Sequence, residues 1–241
     1  MVKILVLIDN DVLLTRLNEI FLKHNRYDVH FDFRRSAGDN CNFRDKFNIE
    51  QIEIASNLES IISEYNLIIS AHCLQFFPKK LVQSVRCINI HPGYNPINRG
   101  WYPQVFSIIN DLPIGATIHE MDEKLDHGPI IARKFVDKYV WDTSLTIYNR
   151  ILDAEVDLFD QYFNQIIENS YVKITPENEG NMFKKADFQS FCQIDMDHVG
   201  TFREFYNLLR ALSHGNYNNA YFYSKEGQKI FIKIEVENQE Q

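Results

Sequence analysis

The chain has 241 residues, of which 45% are apolar and 24% are charged, and its net charge at pH 7 is −8. This size and composition predict one globular domain, or one domain with a small appendage, with enough apolar residues for a full core. The acidic balance argues against a nucleic-acid partner, because affinity for phosphates comes mainly from Lys and Arg.

The cysteines and the N-terminal residues bear on the cellular compartment in which the protein is expected. The four cysteines are scattered and form no Cys-x-x-Cys pair, which predicts reduced thiols in the cytoplasm and no structural zinc site: Cys41, Cys73, Cys87 and Cys192. The opening stretch MVKILVLIDND is too short for a signal peptide or a membrane span, so no membrane association is expected. It predicts a first buried strand instead.

Strand-like and helix-like segments alternate through the first half of the chain. Apolar runs predict strands at 3–8, 28–33, 52–55, 66–70 and 87–91. Between them, helical spacing predicts a helix over 11–24, a capping box at Ser56 and Glu59 predicts a second, and Pro78 opens a third. This alternation of strands and helices predicts an α/β fold with a Rossmann-like, doubly wound and mainly parallel sheet.

The second half adds two strands, a long helix and a small C-terminal unit. A helix is predicted over 101–110, strands over 116–121 and 129–136, and a long helix over 143–167 whose apolar stripe includes Tyr148. Residues 175–188 are polar and predict a linker; a helix capped by Thr201 and Glu204 and a β-hairpin around 224–227 follow. We therefore expect a main domain at 1–174 and a helix-plus-hairpin appendage at 175–241. The appendage is too small to fold alone, and its apolar hairpin favours a homodimer.

Three polar residues form a candidate catalytic set. Asn89 and His91 are two residues apart on a predicted strand, so both side chains lie on one face. At the carboxyl end of a parallel strand that face opens into the ligand crevice. Asp126, in a loop that ends at Gly128, can orient the imidazole, and an amide can hold a developing oxyanion. No Ser or Cys nucleophile lies in this stretch, which favours direct transfer to a nucleophile that the substrate brings.

Structural explanations compete with each of these assignments. Asn89 and His91 are also compatible with a hydrogen-bonded pair at a strand end, and Asp126 with a simple turn former. His72, at another strand end, is either a polar group of the site or a satisfied histidine. A zinc site built from His91, His119 and His127 lacks any His-Glu-x-x-His spacing, so no metal is expected.

The stretches INIHPGYNPINRGWYP (88–103) and GATIHEMDEKLDHGPII (115–131) resemble the formyltransferases that use N10-formyltetrahydrofolate. The resemblance implies that family's fold, this folate as co-substrate, and catalytic roles for Asn89, His91 and Asp126. In that scheme the Asn89 amide and His91 hold an oxyanion, and Asp126 orients His91. A folate pocket is implied at Leu74, Phe76, Phe77, Leu81, Asp122, Glu123, Lys124 and Leu125.

Departures from the family pattern indicate the substrate. The turn after the first strand reads DND, without glycine, which argues against glycinamide ribonucleotide because an acidic turn repels phosphate. The loop at 92–103 and the segment at 205–222 resemble sugar N-formyltransferases that act on dTDP-linked 4-amino-4,6-dideoxyhexoses, above all the dTDP-4-amino-4,6-dideoxyglucose enzymes of O-antigen synthesis. This implies substrate contacts at His72, Gly93, Tyr94, Asn95, Pro96, Arg99, Trp101, Arg210, Asn219 and Tyr221.

Several alternatives stay open at this point. Arg210 also fits a cation at a helix C-terminus, Tyr221 a hairpin core residue, and Trp101 a residue that seats the next helix. The protein could act on another amine, such as a 3-amino sugar nucleotide or glycinamide ribonucleotide, or could bind a nucleotide sugar or folate without catalysis. The sequence does not choose between a C3 and a C4 amine, the sugar epimer, or dTDP and UDP.

Overall fold

The chain folds around a central sheet, which a computed structural model describes over residues 1–37 and 47–239. The strands are β1 (Val2–Ile8), β2 (Val29–Ser36), β3 (Gln51–Ile52), β4 (Leu67–Ala71), β5 (Arg86–His91), β6 (Arg99–Gly100), β7 (Gly115–Glu120), β8 (Ile130–Phe135), β9 (Met182–Phe183), β10 (Ser213–His214), β11 (Tyr217–Asn218), β12 (Ala220–Tyr223) and β13 (Lys229–Ile232). The helices are α1 (Asp11–His24), α2 (Leu58–Glu64), α3 (Lys79–Ser84), α4 (Pro103–Ile109), α5 (Ser144–Glu168), α6 (Lys185–Cys192) and α7 (Phe202–Leu212).

Seven strands form the central sheet in the order β3-β2-β1-β4-β5-β7-β8. The pairs from β3 to β5 are parallel, whereas β7 runs antiparallel to both of its neighbours. The prediction of a mainly parallel, doubly wound sheet is therefore confirmed. The strand order reverses between β1 and β4, and in open α/β sheets the ligand crevice forms at the carboxyl ends of the strands at such a reversal.

Strand β1 explains why both faces of the sheet are covered by helices. Ile4, Val6 and Ile8 pack into a core cluster that includes residues of α1, α4 and α5. Leu5 and Leu7 point to the opposite face and pack with residues of α2 and α3. Because alternate residues of a strand face opposite sides, a strand buried on both sides reads as a continuous apolar run.

The long helix α5 crosses the first of these faces and supplies one wall of the site. Thr143 caps it, since its side chain accepts a hydrogen bond from the backbone of Thr146 while the Thr146 side chain bonds back to the cap. Asn169 ends it in the left-handed conformation. Its buried residues include Phe159 and Phe163, which pack edge-on against each other in an aromatic cluster with Phe21 of α1.

The two predicted capping boxes have different outcomes. Thr201 and Glu204 form the predicted box at the start of α7. The box at Ser56 and Glu59 is wrong: α2 begins at Leu58 after Asn57, which makes no side-chain cap bond. The Ser56 hydroxyl instead donates to the Glu53 carboxylate, which lies in the preceding turn and is the nearer acceptor.

Residues 175–188 are more ordered than the linker that the sequence predicts. Strand β9 pairs in parallel with β6, and α6 begins at Lys185. Phe183 stacks on Phe106 of α4, with ring centroids 3.7 Å apart. Gly180 is in the left-handed region, and a Cβ there would lie 1.9 Å from the Pro96 carbonyl oxygen. This segment therefore packs directly against the loop after β5. At the C-terminus, β12 and β13 form the predicted hairpin.

Two further sequence expectations concern thiols and membranes. Cys87 and Cys192 are free thiols, whereas Cys41 lies outside the described residues. Within 1–37 and 47–239, none of the helices has the length and apolar character needed to cross a bilayer.

The packing of α1 against the sheet gives a test of the core. Leu17→Ala removes a side chain with 0% exposure, so we expect unfolding free energy to fall by about 2–5 kcal/mol. Leu22→Ala, on the same helix, removes one that is 71% exposed and should change stability by less than about 0.5 kcal/mol. Urea denaturation followed by circular dichroism measures both; equal losses would contradict this packing.

Candidate active site

Strand β5 carries Asn89 and His91 to the carboxyl edge of the sheet, where Asp126 meets them. The Asn89 side-chain amide donates to Asp126 Oδ1 at 2.9 Å. His91 Nδ1 lies 3.5 Å from Asp126 Oδ2. All three side chains are buried, although 126 is more than thirty positions from 91 in the sequence. The structure thus brings the three predicted catalytic residues to one point.

Asp126 is held in place through both its backbone and its carboxylate. Its backbone is in the left-handed region, with φ of 47°, which Asp tolerates better than most residues. The backbone N–H of Gly100 donates to Oδ2 at 3.0 Å, and the Asn95 side-chain amide donates to the Asp126 carbonyl at 2.9 Å. The loop after β5 therefore fixes the carboxylate that faces His91.

His91 is a neutral base in this environment. Burial lowers the pKa of His91 to about 4, and the charge of Asp126 opposes this shift only in part. The carboxylate faces Nδ1 and favours the proton there, which leaves Nε2 as an acceptor. Nε2 is buried and has no hydrogen-bond partner among the described residues. At pH 7 His91 is thus prepared to accept a proton at Nε2, rather than to donate from it.

Asp126 stays ionised despite its burial. Burial alone raises the pKa of a carboxyl group, but three interactions together bring the Asp126 pKa below its usual value: His91, which is protonated in the acid range where a carboxyl titrates, the hydrogen bond with His119 and the N–H of Gly100. An ionised Asp126 beside a neutral His91 has the charge arrangement that stabilises an imidazolium once the ring takes a proton.

His119 is a fourth member of this cluster that the sequence identified only as a candidate zinc ligand. Its Nε2 lies 3.6 Å from Asp126 Oδ1 and 3.4 Å from the Asn89 amide nitrogen. Its Nδ1 contacts the Glu120 carbonyl at 2.7 Å, which fixes that nitrogen as the donor. Antiparallel pairing of β7 with β5 sets Asn89 opposite His119, a register that the sequence does not reveal. The described residues contain no cluster of three or more His, Cys, Asp or Glu suited to a metal ion.

Gly93 leaves free space beside the unpartnered nitrogen of His91. A Cβ at this position would lie 2.4 Å from His91 Nε2 and 2.8 Å from its Cδ2. Any other residue would therefore displace the ring or occupy the place from which a ligand reaches Nε2. Gly93 acts on the site through His91, which differs from the direct substrate contact that the resemblance implies.

A cavity of about 750 Å³ opens at this edge of the sheet, and Asn89, His91 and Asp126 all line it. One part of its wall combines apolar side chains with the loop after β7: Leu74, Phe76, Phe77, Met121, Asp122, Lys124 and Leu125. The volume lies within the range of small-molecule sites. This apolar wall fits a flat folate ring. It lies beside His91 and Asn89, the two groups that the formyl group of a folate must reach.

A second part of the wall is polar. Ser144 Oγ contacts His214 Nδ1 at 3.0 Å and receives a hydrogen bond from the Gln104 side chain. The lining in this part also includes the predicted substrate residues His72, Trp101 and Asn219, together with Asn10, Tyr148 and Tyr217. The sequence had placed Tyr148 in the apolar stripe of the long helix, and the position of its hydroxyl could not be inferred from spacing.

Several predicted site residues do not line the cavity. Among the implied folate contacts, Leu81 is buried in the core beneath α3, and Glu123 pairs outward with Lys79 at 2.7 Å. Four predicted residues of the loop after β5 lie outside the cavity lining and hold neighbouring residues of the site in place: Tyr94, Asn95, Pro96 and Arg99. Asn95 anchors Asp126, for example, and Arg99 donates to the Leu125 carbonyl at 3.2 Å.

Two of the three C-terminal candidates, Arg210 and Tyr221, also lie elsewhere. Arg210 is buried and donates to the carbonyls of Tyr139 and Asp142, both at 2.9 Å, so its guanidinium ties α7 to the loop before α5. Tyr221 stacks under Lys229, with the ammonium 3.6 Å from the ring centre. The structure therefore brings neither residue to the cavity, and Tyr221 is a partly exposed hairpin residue rather than a core residue.

Sequence comparison identifies the family. Residues 23–162 match the formyl transferase family, and residues 187–238 match the N-formyltransferase dimerization C-terminal domain. The chain belongs to the formyl transferase family. As a formyltransferase it is 43% identical over 189 residues to a dTDP-4-amino-4,6-dideoxyglucose formyltransferase of Mycobacterium tuberculosis, which covers 78% of this chain and 81% of the relative.

Solved structures give the same picture over almost the whole chain. This formyltransferase matches a sugar N-formyltransferase from a Shewanella species with a TM-score of 0.95 and 40% identity, covering 99% of each chain. It matches a 4-N formyltransferase from Francisella tularensis with a TM-score of 0.92 and 42% identity, covering 98% of each chain. The formyltransferase fold is therefore confirmed.

The protonation of His91 can be measured directly. In the folded formyltransferase the imidazole should stay neutral down to about pH 5 and titrate near pH 4, because burial disfavours the cation. The unfolded chain takes up this proton near pH 6.5, so this group should lower stability as pH falls from 6.5 towards 4.

Nitrogen-15 NMR of the histidine rings gives the midpoint. Asp126→Asn removes the charge that favours the imidazolium and should lower the midpoint further. A wild-type midpoint near 6.5 would contradict this electrostatic description.

Proposed function

We propose that this protein transfers the formyl group of N10-formyltetrahydrofolate to the 4-amine of dTDP-4-amino-4,6-dideoxyglucose. The observation that carries the proposal is the buried and unpartnered Nε2 of His91, beside Asn89 and Asp126, at a cavity with an apolar and a polar part. Similarity to a dTDP-4-amino-4,6-dideoxyglucose formyltransferase, at 43% identity, and to a 4-N formyltransferase, at 42% identity, supports the choice of substrate.

The proposed mechanism assigns one role to each side chain. N10-formyltetrahydrofolate supplies an activated formyl carbonyl. One hydrogen of the Asn89 amide is engaged by Asp126, and the second lies on the side of His119 Nε2, 3.4 Å away. In the proposed reaction this second hydrogen moves to the carbonyl oxygen that gains negative charge during amine attack. His91 accepts the proton that the amine loses, at Nε2, and Asp126 stabilises the resulting imidazolium. His91 then returns this proton to the leaving nitrogen.

Three other functions are less consistent with the site. A binding module without catalysis would have no need for a buried base and a buried carboxylate, whose desolvation is costly. A methionyl-tRNA substrate is disfavoured by the net charge of −8. The acidic turn at Asp9–Asp11 disfavours glycinamide ribonucleotide, because Asp9 binds the backbone of Ser36 and Leu74 instead of a phosphate.

Asn89→Ala tests the role of the amide. Removal of one oxyanion donor should lower kcat by about 10²–10³-fold, equivalent to about 3–4 kcal/mol, with little change in KM for either substrate. Asn164→Ala, at an exposed position of α5, is the matched control and should retain wild-type turnover. The assay follows tetrahydrofolate release with dTDP-4-amino-4,6-dideoxyglucose and, in parallel, with a 3-amino sugar nucleotide and glycinamide ribonucleotide. Faster turnover of either alternative amine would overturn the substrate assignment.

The proposal extends to the organisation of the chain and its place in the cell. We propose a catalytic domain at 1–174 and a C-terminal subdomain at 175–241 that forms a homodimer. A formylated sugar on a nucleotide is an activated glycosyl donor, which suits consumption by a glycosyltransferase in O-antigen or other surface polysaccharide synthesis. The free thiols of Cys87 and Cys192 support a reducing, cytoplasmic location.

The homodimer can be tested on its apolar surface. Val199 and Phe202 are 93% and 85% exposed and belong to the segment that matches a dimerization domain. Val199→Glu with Phe202→Glu should convert a particle with the mass of two chains into a monomer, measured by size exclusion with light scattering. Leu22→Glu, at an exposed position outside that segment, should leave the mass unchanged. A monomeric wild type would refute the proposed assembly.

A further inference from the structure

A second buried polar network lines the cavity and is separate from the Asn89–His91–Asp126 cluster. Glu155, on α5, has 0% exposure. Its two carboxylate oxygens lie 2.9 and 3.0 Å from Nε2 of His72. A buried carboxylate is costly unless a cation or strong donors compensate it, and His72 is its hydrogen-bond partner among the described residues. Helix α5 does not need this charge to pack, since its other inward residues are mostly apolar.

Tyr148 is the end of the network that reaches the cavity. Its hydroxyl receives a hydrogen bond of 2.8 Å from the Asn10 side-chain amide and lies 3.2 Å from His72 Nδ1. The orientation of the Asn10 amide is fixed, because Asn10 Oδ1 caps α1 by accepting from Leu13 N at 2.9 Å. The nitrogen of Asn10 is therefore the atom that faces Tyr148, and it can only donate.

The network lies where the topology predicts ligand binding. Asn10 follows β1 and His72 follows β4, the two neighbouring strands between which the strand order reverses. Asn10, His72 and Tyr148 all line the cavity that His91 lines. The neighbours on this side are also hydrogen-bonding groups, Ser144 and His214 among them, in contrast to the apolar wall at Leu74–Phe77.

The hydrogen-bond count determines what Tyr148 can offer. The Asn10 amide donates to the Tyr148 oxygen, so the hydroxyl keeps its own hydrogen as a donor. That hydrogen reaches either His72 Nδ1, 3.2 Å away, or an oxygen of a ligand in the cavity that Tyr148 lines. Burial, with the Glu155 carboxylate, raises the pKa of Tyr148, so the hydroxyl keeps this hydrogen.

We propose that Tyr148 is a specificity-determining donor that hydrogen-bonds an oxygen of the amino-sugar nucleotide, and that Asn10, His72 and Glu155 are positioning residues that aim its hydroxyl. The acceptor is a phosphate oxygen or a sugar hydroxyl, which present the same chemistry to an O–H donor. This inference rests on the proposed substrate class but not on the roles of Asn89, His91 and Asp126.

Tyr148→Phe removes only the hydroxyl, and calorimetry with three ligands measures its effect. Affinity for dTDP-4-amino-4,6-dideoxyglucose should fall about ten-fold, the value of one well-placed hydrogen bond. Affinity for 5-formyltetrahydrofolate should not change. An equal loss for dTDP alone assigns the acceptor to the diphosphate, whereas a loss only for the amino-sugar nucleotide assigns it to the sugar. Tyr162→Phe, on the same helix and outside the cavity, is the matched control.

Glu155→Gln tests the positioning role. It weakens the contact that holds His72 Nε2 and so disturbs the ring beside the Tyr148 hydroxyl, so KM for the sugar nucleotide should rise while kcat stays near wild type. The effect should largely disappear in the Tyr148→Phe background, because both changes remove one interaction.

The outcomes separate the two proposals. Wild-type protein that binds none of the dTDP ligands refutes the proposed substrate. Wild-type binding with unchanged affinity in Tyr148→Phe overturns the donor role of Tyr148 and leaves the formyltransferase proposal in place. Equal losses for the folate and the nucleotide in Tyr148→Phe would show a general structural role and would also overturn the inference. Circular dichroism confirms that each variant is folded.

Discussion

The site depends on one interaction: the buried carboxylate of Asp126 meets the side chains of β5 and the backbone of the loop that follows. Asn89, His91 and Gly100 all face its two oxygens, at distances between 2.9 and 3.5 Å. A carboxylate without these donors could not remain ionised in the interior. The loop after β5 and the loop after β7 therefore cannot move independently, since the charge of Asp126 is stable only when both are in place.

This constraint explains the function of the segment that precedes α6. Strand β9 pairs with β6, and Phe183 stacks on Phe106, so the segment holds the loop whose Gly100 donates to Asp126. Gly180 allows that approach because a side chain there would meet the Pro96 carbonyl. A stretch that looks like a tether between two units is thus part of the support of the site.

The sequence predicted the features that depend on local pattern. The apolar run of β1, the helical spacing of α5 and the cap at Thr201 all depend on neighbouring residues, and all were found. The meeting of Asn89, His91 and Asp126 was predicted from strand-end chemistry together with the family resemblance. Apart from the capping box at Ser56, which failed through a local contact with Glu53, what failed depends on contacts distant in sequence. His119 lies in the cluster because β7 pairs antiparallel with β5 in a register that sets it opposite Asn89. The guanidinium of Arg210 donates to the carbonyls of Tyr139 and Asp142 and so does not reach the cavity.

The two buried polar networks follow from the same feature of the topology. Strands β1, β4 and β5 are adjacent and end at one edge, so the residues at or just after their ends, Asn10, His72 and His91, line one cavity. Each network pairs a histidine with a carboxylate from elsewhere in the chain, Asp126 from a loop and Glu155 from a helix. The two networks differ in the atom that can bind a ligand: Nε2 of His91 is an acceptor, whereas the Tyr148 hydroxyl beside His72 is a donor. A transfer reaction needs both, since the amine must lose a proton while the rest of its molecule is held still.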